Sequence, residues 1–261
     1  MAGDAPGLPA VILLLGGTSE AVPIAMALVA QGHAVLLSSA TDAPLRDPLP
    51  PGVRCRSGPL DKDGMVALIR RHAIACVVDA THPYAGNATA NARDACRAAG
   101  VPCLRFERPA VDVDLQGIDL RHAADHSRAA VLACAPRKSI LLTVGSRHVH
   151  LYSAAARSHD LPLWARVLDH PASIAACREA GLRPDRIITG RGPFSEQQTG
   201  DLIRRHGIGV LVTKESGAAG GLTAKIAAAR SNHCVVVLVD RPPAEPGAVH
   251  SIDALLSKTK L

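Results

Sequence analysis

The chain has 261 residues, of which 48% are apolar, 20% are charged and only 2% are aromatic. This composition favours a folded protein with an aliphatic core, and the length favours two domains. The net charge of +6 suits an anionic ligand, whereas so few aromatic side chains argue against a nucleic-acid binder, which needs surfaces for base stacking.

The first half of the chain alternates strand patterns with helix patterns. Three amphipathic segments are predicted helices, the second with Asp61 as its N-cap and the third ending at Gly100. Apolar strands separated by such helices indicate a parallel sheet that is covered on both faces. The predicted strands are "PAVILLL", "HAVLLSS", "VRCRSG", "IACVVDA" and "VPCLRFERP".

The second half continues in the same way, and it gives the predicted domain boundaries. Residues 109–137 are the least periodic segment, so we interpret them as a linker and the start of a second domain. The first α/β domain is predicted at residues 1–108 and the second at residues 138–261, with a short closing helix in its tail. The predicted strands here are "SILLTVG", "LWARVLD", "DRIITG", "GVLVTKES" and "HCVVVLVDRP".

An internal repeat relates the two halves. Residues 58–80 align without a gap with residues 192–214, and both segments contain LIRRH before a buried strand. Convergent helix–strand chemistry is the alternative explanation. We predict two structurally equivalent Rossmann-like α/β domains with mainly parallel sheets, facing a shared cleft. Ligands of such sheets bind at the carboxyl ends of the strands, where helix N-termini supply free N–H groups.

The cysteine pattern and the absence of targeting and membrane patterns limit the classes of protein to which the chain can belong. The seven cysteines are scattered without a C-x-x-C spacing, which predicts reduced thiols in a cytoplasmic protein. No metal motif is found, so no metal is predicted. No apolar run approaches the roughly 20 residues that cross a bilayer, and the first ten residues do not resemble an export signal.

The first strand runs directly into a glycine turn. Paired glycines allow a diphosphate to approach the backbone, and the following hydroxyls cap a helix or bind phosphate oxygens. Neither G-x-G-x-x-G nor a P-loop lysine is present, so a tight turn without a ligand is the alternative. The candidate cofactor-binding residues of this turn are Gly16, Gly17, Thr18, Ser19 and Glu20.

The end of the second strand bears on the choice of nucleotide. Ser38 and Ser39, followed by Arg46, suit a 2′-phosphate better than the acidic residue that binds the ribose in NAD enzymes. We therefore predict NADPH as the cofactor. Asp42 opposes this interpretation, and a solvated loop charge is the alternative for Arg46.

The strand that ends at Asp79 is followed by a third group of candidates. Asp79 and Thr81 are predicted to contact the cofactor, while His82 and Tyr84 are the candidate catalytic residues, able to donate hydrogen bonds or a proton. A capping or packing role is the alternative for His82.

In the second half, strand ends repeatedly place a cation beside a glycine. Three such ends predict a broad anion-binding rim, although each charge alone is typical of an ordinary loop. The candidate substrate-binding residues are Ser146, Arg147, His148, Arg191, Gly192, Pro193, Lys214, Ser216 and Lys225, and Arg166 is a further cation on a neighbouring strand.

Six blocks in chain order together resemble the precorrin-6A reductases of cobalamin biosynthesis. They are "LLLGGTSEA", "VVDATHPYA", "PCLRFERP", "LLTVGSRH", "ITGRGPFS" and "LVTKESGAAGGLTAKIAAA". The resemblance implies NADPH-dependent reduction of a macrocycle double bond in precorrin-6A to give precorrin-6B. The anaerobic branch of the same family takes the cobalt-containing substrate.

The resemblance also implies roles for individual blocks. The glycine turn would hold the cofactor diphosphate, and Thr81, His82, Pro83 and Tyr84 would lie near the nicotinamide. A ring bearing acetate and propionate groups matches the cationic strand ends. The "SSATDAPLR" segment departs from expectation, because an arginine is expected closer to the serines.

Other function classes stay open at this stage. A non-catalytic NADP-sensing regulator would keep the glycine turn but would not need the cations of the second half. A polyanion binder would show steep salt dependence. A methyltransferase would bind S-adenosylmethionine in place of NADPH. The sequence leaves the oligomeric state open.

Overall fold

The computed structural model describes residues 9–41, 48–109, 114–215, 217 and 220–259. The chain divides into two compact units. Unit 1 comprises Met1–Pro109 and Pro243–Leu261, and unit 2 comprises Ala110–Pro242.

Unit 1 contains a parallel sheet with the strand order β3-β2-β1-β4-β5. Its strands are β1 (Val11–Leu15), β2 (Ala34–Ser39), β3 (Val53–Ser57), β4 (Ile74–Asp79) and β5 (Cys103–Arg105). Its helices are α1 (Ala21–Ala30), α2 (Lys62–Arg71), α3 (Gly86–Ala99) and α9 (Ile252–Lys258). As predicted, Asp61 caps α2 by accepting a hydrogen bond from the Gly64 N–H, and α3 ends at Gly100 in the left-handed conformation.

Unit 2 contains a second parallel sheet with the order β6-β11-β10-β7-β8-β9. Its strands are β6 (Leu120–Ala123), β7 (Ile140–Leu142), β8 (Leu163–Val167), β9 (Ile187–Thr189), β10 (Val210–Lys214) and β11 (Val235–Val239). Its helices are α4 (His126–Cys134), α5 (Val149–Arg157), α6 (Pro171–Glu179), α7 (Glu196–His206) and α8 (Leu222–Ser231), and a 3₁₀ turn covers Pro184–Arg186.

The two sheets have the same connectivity, which confirms the prediction of two Rossmann-like parallel α/β halves. The order β9-β8-β7-β10-β11 repeats β3-β2-β1-β4-β5 strand for strand, and β6 extends the second sheet beside β11. The repeated segments 58–80 and 192–214 fall on α2–β4 and α7–β10. The LIRRH repeat therefore marks equivalent helices.

The C-terminal residues and the predicted linker differ from the sequence-based division. Residues 243–261 belong to unit 1, where Val249 forms a parallel bridge with Phe106 and α9 packs on α1. The segment 109–137 carries β6 and α4 of unit 2. Thus β6 and α4 of unit 2 follow β5 of unit 1 along the chain, and the Val249 bridge and α9 of unit 1 follow β11 of unit 2.

Alternating residues of the central strands form the core on both faces of each sheet. In β1, Ile12 and Leu14 pack against α1 and α9, while Leu13 and Leu15 pack against α2 and α3. In unit 2, Leu211 packs with residues of α7 and α8. Because these faces are apolar, the polar candidate residues lie at the ends of the strands.

Within the described ranges, no helix is long and apolar enough to cross a bilayer. The seven cysteines are free thiols. The same part of the chain holds no group of three or more His, Cys, Asp or Glu side chains placed to bind a metal.

Candidate functional site

Strand register brings the candidate residues of unit 1 to one edge of its sheet. Leu15, the last residue of β1, pairs with Ser38 of β2 on one side and with Asp79 of β4 on the other. The turns after these three strands are therefore neighbours at the carboxyl edge, where parallel α/β sheets bind their ligands.

The two glycines of the first turn are required for different reasons. A Cβ atom at Gly16 would lie 2.7 Å from Cδ1 of Leu37, so this position has no room for a side chain inside the fold. The Gly16 N–H donates to the Ser38 carbonyl at 2.8 Å. Gly17 has a φ of +101°, and a Cβ there would meet open space. Gly17 therefore leaves backbone exposed at the edge where a ligand can approach.

The residues after the glycines connect this turn to its surroundings. The Thr18 hydroxyl donates to the carbonyl of Ala80 at 3.0 Å, which holds the turn against the end of β4. Ser19 is exposed. The Glu20 carboxylate forms an ion pair with Arg108 at 2.9 Å, so this acidic group is engaged within the protein.

An arginine from the neighbouring strand contacts Ser38, one of the two serines at the end of β2. Arg56 of β3 pairs in register with Ser38 and donates to its hydroxyl at 2.7 Å. Ser39 donates to the carbonyl of Thr41 at 2.8 Å. Arg46 and Asp42 lie outside the described residues. The combination that suits a 2′-phosphate, serine beside arginine, is thus present through Arg56.

A buried charge network supports the turn after β4. Arg105 forms ion pairs with Asp79 and with Glu107, both at 3.0 Å, and all three side chains are less than a tenth exposed. Asp79 Oδ1 also accepts hydrogen bonds from the Thr81 N–H at 3.0 Å and from its hydroxyl at 2.7 Å. The Asp79 carboxylate therefore fixes the position of Thr81.

The two candidate catalytic residues follow directly. The rings of His82 and Tyr84 have their centroids 5.4 Å apart. The Tyr84 N–H donates to Nδ1 of His82 at 3.3 Å. Both side chains are half-buried. This arrangement keeps the two polar rings together directly after Thr81, which Asp79 holds in place.

In unit 2, the turn after β7 carries exposed polar residues and leads into an imidazole pair. Arg147 is exposed and Ser146 half-buried. His148 stacks on His126 with ring centroids 4.0 Å apart, and His126 Nδ1 lies 2.8 Å from the Tyr152 hydroxyl.

Electrostatics keep this imidazole pair neutral. Burial, followed by the charges of His148 and Lys214, lowers the pKa of His126 to about 4. Burial also lowers the pKa of His148, with Arg147 as the next cause. At neutral pH both rings therefore serve as hydrogen-bonding and stacking groups and add no charge.

The turn after β9 lies next to the buried Arg166. Arg191 is exposed, and Gly192 and Pro193 are joined by a cis peptide bond. The following Phe194 ring lies under the Arg166 guanidinium, whose Cζ is 4.0 Å from the ring centroid. Arg166 itself is 5% exposed.

The last group surrounds the end of β10 and the start of α8. Lys214 is the final residue of β10, and Ser216 lies outside the described residues. Lys225, in the first turn of α8, is 8% exposed and donates to the Gly220 carbonyl at 2.9 Å. Its charge lies close enough to those of Arg166 and Lys214 to be affected by both.

Sequence reasoning missed the roles of Arg56, Arg105 and His126. The position of Arg56 beside Ser38 follows from the pairing of β2 with β3. The alternation of Arg54 and Arg56 on β3 is the sequence signal that could have indicated it. Arg105 lies in a block that carried the resemblance but was given no role. His126 begins a helix inside the segment interpreted as a linker.

A family model and the sequence relatives of this chain all indicate the same family. Residues 11–260 match the family described as precorrin-6x reductase CbiJ/CobK. The chain is 30% identical over 255 residues to the cobalt-precorrin-6A reductase of Priestia megaterium, covering 95% of this chain and 99% of the relative. It is 37% identical over 248 residues to the precorrin-6A reductase of Rhodococcus erythropolis, covering 93% of each.

A solved structure agrees with the sequence relatives. The structure titled CobK precorrin-6A reductase is similar to this chain with a TM-score of 0.75 and 30% identity, covering 96% of each chain. The match extends over both units. The chain therefore belongs to the precorrin-6x reductase family.

Proposed function

We propose that this protein reduces a macrocycle double bond of precorrin-6A with NADPH to give precorrin-6B in cobalamin biosynthesis. The observation that carries the proposal is the family match over residues 11–260, which includes every candidate residue of both units. Relatives bear the names precorrin-6A reductase and cobalt-precorrin-6A reductase. Its seven free cysteines suit a reducing compartment, so we expect it to act in the cytoplasm.

The cofactor would bind at the carboxyl edge of the unit 1 sheet. The exposed backbone at Gly17 and the N-terminus of α1 suit a diphosphate, because free N–H groups and the helix dipole attract anions. Arg56 and Ser38 suit the 2′-phosphate that distinguishes NADPH from NADH. When bound, the reduced nicotinamide supplies the hydride. His82 and Tyr84 would hydrogen-bond the nicotinamide or deliver the accompanying proton.

Unit 2 would bind the macrocycle. Arg147, Arg191 and Lys214 present cations at three strand ends, which suits a ring bearing acetate and propionate groups. The neutral His126–His148 pair adds flat surface beside these cations in a chain that has few aromatic residues. Ser146, Gly192, Pro193, Ser216 and Lys225 complete the proposed set.

Anaerobic incubation with precorrin-6A and either NADPH or NADH tests the proposal. We expect oxidation of NADPH and conversion of the macrocycle, with the cobalt-containing substrate assayed in parallel. Arg56→Met should raise the Kd for NADPH about 30-fold and leave the Kd for NADH unchanged, because only NADPH carries the lost phosphate contact. Arg54→Met, which removes an exposed charge from the same strand, is the control.

No nucleotide oxidation with either macrocycle would refute the reaction. Equal losses of NADPH and NADH affinity in Arg56→Met would refute the role of this arginine while leaving the reaction standing.

A further inference from the structure

Two thiols of unit 1 are in contact between α3 and β5. Cys96 lies in the last turn of α3 and is buried, whereas Cys103 is the first residue of β5 and is exposed. The Cys96 thiol donates a hydrogen bond to the sulfur of Cys103. Two free thiols in contact are the starting point from which a disulfide bond can form.

The fold brings these two thiols together through strand register and the end of a helix. Cys103 pairs in register with Val77 of β4, so the two side chains point to the same face of the sheet. On that face Val77 belongs to the core cluster that contains Cys96. Gly100, with a φ of +70°, ends α3 and lets the chain return along the sheet to Cys103.

Cys103 also lines a cavity of unit 1, beside Arg93 of α3 and Arg105 of β5. The volume of the cavity is about 110 Å³, whereas one water molecule occupies about 30 Å³ of the liquid. A small oxidant, little larger than water, therefore fits beside the exposed sulfur.

The surroundings make Cys103 the more reactive of the two thiols. The hydrogen bond from Cys96 lowers the pKa of the Cys103 thiol. This effect and the charges of Arg105 and Arg93 outweigh burial and the Asp79 carboxylate, which act in the opposite direction. The same hydrogen bond, followed by burial, raises the pKa of the Cys96 thiol. Because the thiolate is the nucleophile, Cys103 reacts with an oxidant first and Cys96 reacts second.

We propose that Cys103 and Cys96 form a reversible disulfide when the protein meets hydrogen peroxide, with Cys103 as the thiol that is oxidised first and Cys96 as its partner. Cys55 provides the internal comparison, because it is the other exposed cysteine of the chain. Burial raises the pKa of the Cys55 thiol, and no second thiol contributes to that shift.

The chemistry balances in two steps. The Cys103 thiolate attacks one oxygen of the peroxide, so that an S–O bond forms, the O–O bond breaks, and the departing hydroxide takes a proton from solvent. The Cys96 sulfur then attacks the sulfenic sulfur of Cys103. An S–S bond forms, the S–O bond breaks, and the oxygen leaves as water with the Cys96 proton. The two sulfurs lose two electrons, and the peroxide is reduced to two water molecules.

Peptide mapping of the full-length protein after peroxide treatment tests the proposal. Trypsin cleaves after Arg97, between the two cysteines, so the disulfide joins peptide 94–97 to peptide 98–105. After peroxide and alkylation of the remaining thiols, we expect this linked pair in the mass spectrum and its loss after dithiothreitol. Cys103 should react at least about tenfold faster than Cys55.

Three variants separate the roles of the two thiols. In Cys96→Ala, which keeps a small residue in the core, the sulfenic acid of Cys103 should accumulate and be trapped by dimedone. In Cys103→Ala, the buried Cys96 should stay reduced. Cys55→Ala is the matched control and should form the disulfide at the wild-type rate.

Absence of the linked pair from the peroxide-treated wild-type protein would overturn the inference, as would oxidation of Cys55 at the rate of Cys103. A disulfide between Cys103 and Cys76 would also overturn it, because Cys96 would not be the partner. The mapping reports only the covalent state of the thiols, so its result holds whether or not precorrin-6A is reduced by the protein.

Discussion

In unit 1 the buried Arg105 lies between the carboxylates of Asp79 and Glu107, each 3.0 Å away. In unit 2 the buried Arg166 has a hydroxyl and an aromatic ring as neighbours, and no carboxylate of the described chain within ion-pair distance. Both arginines lie near the carboxyl ends of their strands, but on strands that do not correspond, since β5 matches β11 and β8 matches β2. The units therefore share a strand order and differ in how a buried arginine at the carboxyl edge of the sheet is balanced.

This difference distinguishes an arginine that holds a turn in place from one that is available to bind a ligand. A buried arginine that is paired with carboxylates inside the protein holds a turn in place, as Arg105 and Asp79 hold Thr81. A cation left without a counter-ion makes the folded state less stable but is available to an anionic ligand. Under the proposed function, one fold serves two ligand chemistries through a small number of side chains at the edges of its two sheets.

The largest expected effect comes from the same substitution made in both units. Arg105→Met leaves Asp79 and Glu107 buried without a cation, so the free energy of unfolding of unit 1 should fall by about 3–5 kcal/mol. Arg166→Met should cost nothing in the ligand-free protein and should stabilise unit 2 by up to about 4 kcal/mol. Hydrogen exchange of the β1 and β4 amides measures the unfolding of unit 1, and the fluorescence of Trp164 measures the unfolding of unit 2.

Arg97→Met is the control for this pair, since its ion pair with Asp94 is exposed and contributes less than about 1 kcal/mol. Equal losses of stability in Arg105→Met and Arg166→Met would contradict the contrast between the units.

Equivalent glycine turns offer the next test. Gly17 after β1 and Gly145 after β7 occupy the same place in the repeat, both have positive φ, and a Cβ at either would meet open space. The preceding residue is Gly16 in unit 1 and the buried Val144 in unit 2. Gly17→Val should weaken NADPH binding at least about 100-fold, because the side chain and the strained φ displace backbone donors from the diphosphate.

Gly145→Val imposes the same strain on the other unit and should leave the Kd for NADPH unchanged, as equilibrium dialysis would measure. If the Kd for NADPH rose equally in the two variants, the nucleotide site would not be specific to unit 1.

The fold was largely predictable because its strands are runs of aliphatic residues and its helices carry clear caps. β6 was missed because "LRHA" has only Ala123 fully buried, so it lacks the apolar pattern of a central strand. The assignment of residues 243–261 to unit 1 depends on contacts such as the bridge from Val249 to Phe106, which no local pattern encodes.

The candidate site was predictable in part. The glycine turn is visible because glycine spacing is local. The contact between Ser38 and Arg56 requires the register of β2 and β3, which are separated by a loop whose length does not set that register. Ion pairing is equally non-local, so the sequence did not indicate that Arg105 is neutralised and Arg166 is not.

The smallest expected effect concerns the imidazoles of unit 2. The pKa of His126 is about 4 in the folded protein, below the usual 6.5, so the unfolded chain binds a proton first as the pH falls. Stability is therefore lost between pH 6.5 and pH 4. His126→Gln removes this titration and keeps a polar partner for Tyr152. Allowing for solvent screening of a half-exposed ring, the variant should gain about 1 kcal/mol relative to wild type at pH 5.

Urea unfolding at pH 7.5 and pH 5, followed by Trp164 fluorescence, measures this difference, with the exposed His159→Gln as control. A wild-type protein that lost no more stability than His126→Gln on acidification would show that the imidazole pair is already charged when folded. In that case the pair would belong with Arg166 and Lys225 as part of the uncompensated charge of unit 2, and the contrast with the carboxylate-paired Arg105 of unit 1 would be larger.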